Sequence, residues 1–236
     1  MLNLTNRDRC FVIAEAGTAH LGNRDKAYDL LQAAVKAGAD AIKFQFFSPI
    51  VSQQSMFCWI QGDAIRVQRW RRSYLPLNVW REVKRHAEIQ GLVFLASTFE
   101  HETVAWLNEL GVVATKVASR AAKNFPYDMD GLPRPFLISD GMGLPTLLPH
   151  DHIKLSCEAA YPSTRAWEGK LHRGFSDHSG APFLGIDAIA RGCKLLEVHF
   201  MIDPIDAGPD LPACLTLDEL KLVCQARDYY SERKAA

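Results

Sequence analysis

Short apolar runs recur along this chain and alternate with segments whose apolar residues repeat at helical spacing. Eight of the runs have the length and composition of buried β-strands. These predicted strands cover residues 11–16, 41–47, 92–98, 113–119, 135–139, 153–157, 174–176 and 194–200. Helical patterns lie at residues 24–36, 77–90, 100–110 and 183–191, and a last helix extends to about residue 233.

The ends of these helices carry recognisable signals. Gly38 and Gly111 follow the first and third helical patterns, where glycine commonly ends a helix. Thr216 and Glu219 have the spacing of a capping box at the start of the last helix. Strands that alternate with helices in this way predict an α/β protein, a single (β/α)8 TIM-barrel domain over residues 1–236. Its reactive groups would lie at the carboxyl ends of the strands.

The pattern is incomplete after the fourth, fifth and sixth strands. Residues 124–134 and 140–151 contain too many prolines and glycines for a normal helix, and residues 166–172 allow at most about two turns. We therefore expect outer helices 4–6 to be shortened or missing. A barrel wall without its helices leaves apolar strand faces uncovered, so the chain is expected to form a homo-oligomer through this quadrant.

A long insertion, residues 48–74, follows the second strand. It carries four arginines and two tryptophans, namely Arg66, Arg69, Arg71, Arg72, Trp59 and Trp70. Such a set is compatible with a nucleic-acid-binding patch, or with a loop that contains a solvated helical turn. Because 27 basic residues balance 27 acidic ones, the net charge attracts no polyanion, and the second interpretation is favoured.

Composition narrows the class of protein further. No apolar run reaches the roughly 18 residues of a membrane span, and the amino terminus lacks the basic-then-apolar order of a signal peptide. The six cysteines have no CxxC spacing, which in a chain of this length is typical of reduced core residues rather than of a disulfide framework. We expect a cytoplasmic protein with no nucleic-acid partner and no membrane partner.

Two histidines lie at the ends of neighbouring predicted strands. His178 follows the seventh strand and His199 lies in the eighth, so parallel strands would bring both to the same end of the barrel. Each histidine on its own is more commonly a packed or hydrogen-bonded residue. Together they are compatible with a metal site, since imidazole nitrogens with oxygen co-ligands suit Mn, Zn, Fe or Co. The residues alone leave both interpretations open.

Two lysines lie within apolar strands, where an unpaired ammonium group is costly. Alternation points Lys43 and Lys116 into the barrel. Either a buried Glu15 or Glu197 neutralises them, or they form an anion cradle for a phosphate or carboxylate. The hydroxyls of such a cradle would come from Ser119, Ser139 and Ser176. Glu15, and His20 just beyond it, are candidates for proton transfer.

A series of segments carries a resemblance to a known family. They read VIAEAGTAHLGN, ADAIKFQFF, STFEHETVAWLNELGVVATKVAS, ISDGMG, AAYP, GFSDHSG, EVHF and GPD, in that order. In these segments the chain resembles the sialic-acid synthase family, whose members condense phosphoenolpyruvate with an N-acetylated aldose to make nonulosonic acids. The resemblance covers residues from about 11 to 230, which is nearly the whole chain.

The resemblance implies roles for individual residues. His178 and His199 would hold a divalent metal, Mn or Mg, that polarises the acceptor aldehyde. Phosphoenolpyruvate would be bound by Lys43, Lys116, Ser119, Ser139 and Ser176. The acceptor would be lined by Glu15, Gln45, Tyr161 and Asp210. Carbon 3 of the enol would attack the aldehyde, water would add at carbon 2, and phosphate would leave with cleavage of its C–O bond.

The chain departs from the family's motifs mainly on the acceptor side. Ala121 replaces a glutamate that the resemblance associates with proton transfer, and Ala159 replaces an asparagine of the tyrosine–proline motif. Ala19 replaces another asparagine, and Asp140 a threonine. The chain also ends after the last barrel helix, so we expect the family's C-terminal antifreeze-like domain, with the arginine it supplies, to be absent. Arg120, new at the end of the fourth strand, is a candidate for that charge on the acceptor side.

Three functions are compatible with the sequence. The first is a metal-dependent transferase that condenses phosphoenolpyruvate with an altered acceptor, an aldose or other aldehyde, in the biosynthesis of a nonulosonic-acid-like carbohydrate. The second is a catalytically silent barrel that serves as a binding or assembly subunit. The third is an aldolase that forms a Schiff base through Lys116 or Lys43. The retained metal and anion residues favour the first.

Overall fold

The computed structural model describes residues 4, 9–58, 63–169 and 173–235. It contains a closed barrel of eight parallel strands, whose first and last members pair with each other. The strands are β1 (Phe11–Gly17), β2 (Ala41–Phe46), β3 (Val93–Thr98), β4 (Thr115–Val117), β5 (Phe136–Ser139), β6 (His152–Cys157), β7 (Gly174–Asp177) and β8 (Leu195–Phe200). A short β9 (Cys214–Leu215) pairs with the end of β8. The predicted TIM-barrel fold and all its strands are confirmed.

Seven α-helices are present in the described residues, and a 3-10 helix (Gly208–Ala213) precedes β9. The α-helices are α1 (Arg24–Ala37), α2 (Ala64–Arg72), α3 (Leu77–Ile89), α4 (His101–Leu110), α5 (Pro182–Ala190), α6 (Pro204–Ala207) and α7 (Leu217–Ala235). Gly38 and Gly111 end α1 and α4 with φ of 80° and 60°, the left-handed conformation that glycine adopts without strain. The backbone N–H and the hydroxyl of Thr216 both donate to Glu219, which confirms the capping box of α7. Helices α2 and α6 were not predicted.

The helix-poor quadrant is confirmed, but its strand faces are covered. The described residues between β4 and β7 contain no helix. Phe136, on the outer face of β5, packs against Phe125 and Tyr127, with ring centroids 6.3 and 5.3 Å away. Ile138, two residues further on, is also fully buried. The expectation of uncovered apolar strand faces was therefore wrong, because these outward side chains are buried and the loop at residues 118–135 folds back over β5.

The interior of the barrel has an apolar floor and a polar mouth. Ile13 and Leu95 belong to one inner apolar cluster near the amino-terminal ends of the strands. Two positions further along the same strands, the inward residues are Glu15 and Ser97, both buried. Because strand side chains alternate between faces, each such step of two keeps a residue inside the barrel. Polar and ionisable groups thus meet at the carboxyl ends of the strands, where barrel sites form.

The insertion after β2 is more structured than the predicted solvated turn. It contains α2, whose Trp70 is buried. Arg69 donates to the hydroxyl of Thr18 and to the backbone carbonyl of Asp206. This arginine therefore binds atoms of its own chain, which supports the interpretation against a nucleic-acid patch. Trp59 lies outside the described residues.

The cysteines have the environment that their spacing predicts. All six are buried free thiols. Burial raises the pKa of Cys58, Cys157, Cys214 and Cys224 to about 12. These thiols are therefore protonated at neutral pH and poorly nucleophilic.

Within the part of the chain that the structure describes, no helix combines the length and the apolar content that crossing a bilayer requires.

Candidate active site

One cavity at the carboxyl ends of the strands gathers every site residue predicted from the sequence except His20. It encloses about 640 Å³, counting the space at its open mouth. Its walls include Glu15, Lys43, Gln45, Lys116, Ser119, Arg120, Ser139, Tyr161, Ser176, His178, His199 and Asp210. Wall residues that were not assigned to a substrate or metal are Arg66, Trp70, Phe99, Ala118, Met142, Cys157, Ala159 and Glu197.

Lys43 lies deep in this cavity between two carboxylates. Its Nζ is 2.9 Å from Glu15 Oε2 and 3.7 Å from Glu197 Oε2. It also donates to the hydroxyl of Ser97 at 3.1 Å. Gln45 donates to the other oxygen of Glu15 at 2.9 Å, so that carboxylate is held from two sides. Lys43 is thus neutralised by buried glutamates, one of the two alternatives that the sequence left open.

Lys116 shares Glu197 with Lys43. Its Nζ is 3.4 Å from Glu197 Oε1 and donates to the hydroxyl of Ser139 at 2.9 Å. Ser176 donates to the same Glu197 oxygen at 2.9 Å. Both alternatives therefore coexist at this lysine, because it is paired with a glutamate and also flanked by the hydroxyl groups of the predicted cradle.

Burial and pairing separate the pKa values of this cluster. Burial alone would raise the pKa of Glu197, but Lys116 and Lys43 lower it to about 2. For Glu15, burial outweighs the effect of Lys43, and its pKa is raised. Burial also lowers the pKa of Lys116. Glu197 is therefore the fixed anion of the cluster, whereas Glu15 is the carboxyl group that takes up a proton more readily.

The two histidines lie together at the mouth. The ring centroids of His178 and His199 are 5.3 Å apart, and His199 is the register partner of Glu15 across β1 and β8. Nδ1 of His178 is 2.6 Å from the carbonyl oxygen of Glu158. Because a carbonyl only accepts, Nδ1 carries the ring proton, and Nε2 keeps its lone pair. Tyr161 stacks on the His178 ring at 4.5 Å.

These histidines fit a divalent metal with an incomplete protein shell. Burial lowers the pKa of both, to about 4 for His178, so both are neutral imidazoles, the form that binds a metal. Among the residues that the structure describes, no three or more His, Cys, Asp and Glu side chains are grouped to hold an ion. Water and substrate oxygens would complete a shell that starts from two nitrogen ligands. The metal itself stays a prediction.

Two arginines and an aspartate form the outer rim of the cavity. Arg66, on α2, has Nη1 3.5 Å from Asp210 Oδ1 and Nε 3.0 Å from Asp63 Oδ2. Arg120 lies with its guanidinium carbon 6.0 Å from the centre of the Trp70 ring. Sequence reasoning missed the contribution of α2. The available signal was Asp63, whose side chain accepts from the Arg66 backbone N–H as a helix N-cap.

Two positions that the sequence analysis considered for proton transfer contribute no ionisable group to the cavity. His20 is fully buried beside Phe44 and Trp80, with ring centroids 5.8 and 5.1 Å away, and it does not line the cavity. Its candidacy for proton transfer was therefore wrong, because its ring packs among aromatic side chains outside the cavity. Ala121 is fully buried and brings a methyl group where the resemblance implied a glutamate.

Known proteins resemble this chain over most of its length. The N,N'-diacetyllegionaminic acid synthase of Campylobacter jejuni is 30% identical over 249 residues, which cover 92% of this chain and 75% of that protein. The N-acetylneuraminate-9-phosphate synthase of Homo sapiens is 30% identical over 247 residues, covering 89% of this chain and 67% of that protein. Both relatives are named as synthases, one of N,N'-diacetyllegionaminic acid and the other of N-acetylneuraminate 9-phosphate.

Solved structures show the same fold. A sialic acid synthetase from Leptospira borgpetersenii, in complex with citrate, superposes with a TM-score of 0.72 at 21% identity, covering 97% of this chain and 86% of that chain. A spore coat polysaccharide biosynthesis protein from Bacillus subtilis superposes with a TM-score of 0.71 at 25% identity, covering 98% and 71%. The model of the NeuB family matches residues 30–146 and 151–234. With most of its length matched, this chain belongs to the NeuB family.

Proposed function

We propose that this protein condenses phosphoenolpyruvate with an aldose or another aldehyde acceptor and releases phosphate, in the cytoplasmic biosynthesis of a nonulosonic-acid-like carbohydrate. The observation that carries the proposal is the placement of Lys43 and Lys116, with Ser139 and Ser176, in the cavity that also holds the histidine pair. The synthase names of the relatives support it.

The lysines and serines would hold the phosphate and carboxylate groups of phosphoenolpyruvate. Ammonium and hydroxyl donors suit both anions, and a buried setting strengthens such charge-assisted hydrogen bonds. Lys43 has carboxylates at 2.9 and 3.7 Å, whereas Lys116 has one, at 3.4 Å. Lys116 is thus the less neutralised of the two, and we assign the phosphate to Lys116 with Ser119 and Ser139.

His178 and His199 would hold the divalent metal, Mn or Mg. When bound, such an ion polarises the aldehyde of the acceptor and makes its carbon a better electrophile. The carbonyl of Glu158 keeps the ring proton of His178 on Nδ1, so Nε2 is ready to act as a ligand. The stacked ring of Tyr161 restricts rotation of the His178 imidazole.

Glu15 would carry the proton that the condensation moves. Carbon 3 of phosphoenolpyruvate bonds to the aldehyde carbon, and the aldehyde oxygen takes a proton. Water then adds at carbon 2 and loses one proton. The C–O bond to phosphate breaks as the new hydroxyl group at carbon 2 loses its proton, which leaves a keto acid and inorganic phosphate. Glu15 lines the cavity with a raised pKa, as a proton carrier requires. With Ala121 in the place of the family's glutamate, and Glu197 held ionised, Glu15 is the carboxyl that fits this role.

A Schiff-base aldolase is the second candidate, because burial lowers the pKa of Lys116. A lysine amine without its proton can attack a ketone and form an imine. The ion pair with Glu197 opposes this, since it favours the ammonium form. Borohydride reduction in the presence of a keto acid would label Lys116 covalently if the imine forms. The metal synthase predicts no label and predicts loss of activity with a chelator.

The proposal is tested by phosphate release. Metal-loaded protein is incubated with phosphoenolpyruvate and a panel of aldoses. We expect release that requires an aldose and that a chelator abolishes, with Lys116→Met inactive and Arg72→Gln, at an exposed position of α2, fully active. If no aldose supports release and calorimetry detects no binding of phosphoenolpyruvate, the catalytically silent binding or assembly subunit is favoured.

The chain is also proposed to form a homo-oligomer through the helix-poor quadrant. The strand faces of that quadrant are covered, so the support comes from its loops. Leu147 is 85% exposed and Met142 is 53% exposed. Large apolar side chains that stand in solvent favour contact with another apolar surface.

A further inference from the structure

Arg120 stands out at the mouth of the cavity because one nitrogen of its guanidinium group lacks a partner. Its Nη1 is enclosed and has no hydrogen-bond partner among the described residues. None of the ion pairs within those residues includes it. The nearest feature that favours a cation is the face of Trp70, 6.0 Å from the guanidinium carbon. An enclosed guanidinium nitrogen without a partner is costly, so this position is built for a ligand that supplies the missing acceptor.

A second guanidinium adds to the positive potential at the same place. Arg66 already has two partners. Its Nε donates to Asp63 at 3.0 Å, and its Nη1 donates a weaker hydrogen bond to Asp210 at 3.5 Å. Burial and the charge of Arg66 both lower the pKa of Arg120. Two neighbouring guanidinium groups that disfavour each other's charge are stabilised together by an anion placed between them.

This rim is distinct from the lysine cluster deeper in the cavity. The charged groups that act most strongly on Lys116 are Glu197 and Lys43. Those that act on Arg120 are Arg66 and, more weakly, Asp210. In the lysine cluster two carboxylates match two ammonium groups, whereas at the rim the two carboxylates, Asp63 and Asp210, both pair with Arg66 and neither forms an ion pair with Arg120. A single small dianion bound at the lysines would therefore leave Nη1 of Arg120 without a hydrogen-bond acceptor.

We propose that Arg66 and Arg120 form an anion subsite for the acceptor, and that the acceptor carries a carboxylate or phosphate group in addition to its aldehyde. The inference rests on the proposed function, because it assumes that the lysine cluster takes phosphoenolpyruvate. The planar fork of a guanidinium matches the oxygen pair of either group. The guanidinium carbon of Arg120 lies 6.0 Å from the centre of the Trp70 ring, and α2 carries both Trp70 and Arg66, so one helix contributes two of the three residues of the subsite.

Calorimetric titration tests the subsite without requiring turnover. Metal-loaded protein is titrated separately with mannose, mannose 6-phosphate and mannuronate, and with the corresponding glucose series. We expect one or both charged forms to bind roughly 10- to 100-fold more tightly than the neutral sugar. In Arg120→Gln this preference should disappear, with the affinity for phosphoenolpyruvate unchanged. Arg66→Gln should reduce the preference less, and Arg72→Gln, which removes an exposed charge from the same helix, should keep it.

Two outcomes would overturn the subsite. The first is equal affinity of the wild-type protein for neutral and charged sugars. The second is an Arg120→Gln variant that loses affinity for phosphoenolpyruvate but still binds charged sugars more tightly than neutral ones. That result would assign Arg120 to the phosphoenolpyruvate site. If Arg120→Gln does not fold, as judged by its melting curve, Arg66→Gln decides the matter in the same titration. A protein that prefers charged sugars but releases no phosphate would instead overturn the proposed reaction and leave the subsite standing.

Discussion

Lys43 and Glu15 form a buried ion pair of 2.9 Å that joins β2 to β1 inside the barrel. The two residues are also register partners between these strands. A buried ion pair of this kind adds little stability compared with an apolar pair. Removing one partner, however, leaves an unpaired charge in a medium of low dielectric constant, which is strongly destabilising. The pair therefore constrains both the stability of the barrel mouth and the charge available to a ligand.

A double-mutant cycle measures this relationship. Lys43→Met leaves Glu15 and Glu197 as two buried carboxylates with one lysine, and we expect a loss of roughly 3–5 kcal/mol in the free energy of unfolding. Lys43→Met combined with Glu15→Gln removes the stranded charge and should be less destabilised than the single Lys43→Met variant. Urea denaturation at neutral pH provides the values. Additive losses would mean that the pair is not coupled.

Glu15→Gln on its own tests the proton-transfer role. The substitution keeps the shape of the side chain and the contact with Gln45. If Glu15 moves the proton, phosphate release should fall roughly 10²- to 10⁴-fold, with the affinity for phosphoenolpyruvate retained. Steady-state kinetics together with calorimetry separate the two quantities. Undiminished turnover in this variant would assign proton transfer to another group.

Gly208 lies where the Arg69 side chain crosses the chain. Gly208 has φ of 59°, and a Cβ at this position would overlap the Arg69 guanidinium. Gly91 has φ of 73°, and a Cβ added there would meet no atom within 4 Å, which makes it a matched control. We expect Gly91→Ala to cost about 1 kcal/mol through backbone strain, and Gly208→Ala to cost clearly more because the contacts of Arg69 with Thr18 and Asp206 are displaced. Equal losses in denaturant unfolding would exclude a role for the clash.

His20 makes stability depend on pH. Burial, reinforced by Arg69, lowers its pKa in the folded protein to about 3. Between the ordinary histidine pKa of about 6.5 and that value, only the unfolded chain takes up the proton. Stability should therefore fall as the pH decreases from 7 to 4, by up to about 1.4 kcal/mol per unit from this residue.

The variant His20→Asn isolates that contribution. Asparagine can still accept the Gly22 backbone N–H that His20 Nδ1 accepts at 3.2 Å, but it does not titrate. Urea denaturation at several pH values should give a shallower slope for His20→Asn than for the wild type. His150→Asn, at an exposed position, controls for the substitution itself. Parallel pH profiles for the wild type and His20→Asn would contradict the assignment.

The helix-poor quadrant predicts an oligomer that depends on its loops. Multi-angle light scattering at micromolar concentration should give a mass above that of one chain. Leu147→Asp, in the loop between β5 and β6, should shift the population toward the monomer, since it places a charge in the expected contact. Ile89→Asp, an exposed apolar position at the end of α3, is the matched control and should leave the mass unchanged. A mass equal to that of one chain for the wild-type protein would contradict the proposed homo-oligomer.

Sequence periodicity was enough to predict the barrel fold and many of the residues that line its site. Most of the predicted site residues lie in a predicted strand or just after one, and parallel strands bring such positions to one end. Lys43 and Lys116 point inward for the same reason, because apolar neighbours alternate with them along the strand. Strand position alone therefore located the lysines and the histidine pair.

Only the tertiary structure decided which groups meet across the barrel. Alternation says that Lys43 faces inward, but not that Glu15 and Ser97 are its partners, since that depends on the register of neighbouring strands. The loop at residues 118–135 has no simple period, because its side chains pack irregularly on the strands beneath them. For that reason the cover over Phe136, and the rim that α2 forms with Arg120, emerged only when the chain was folded.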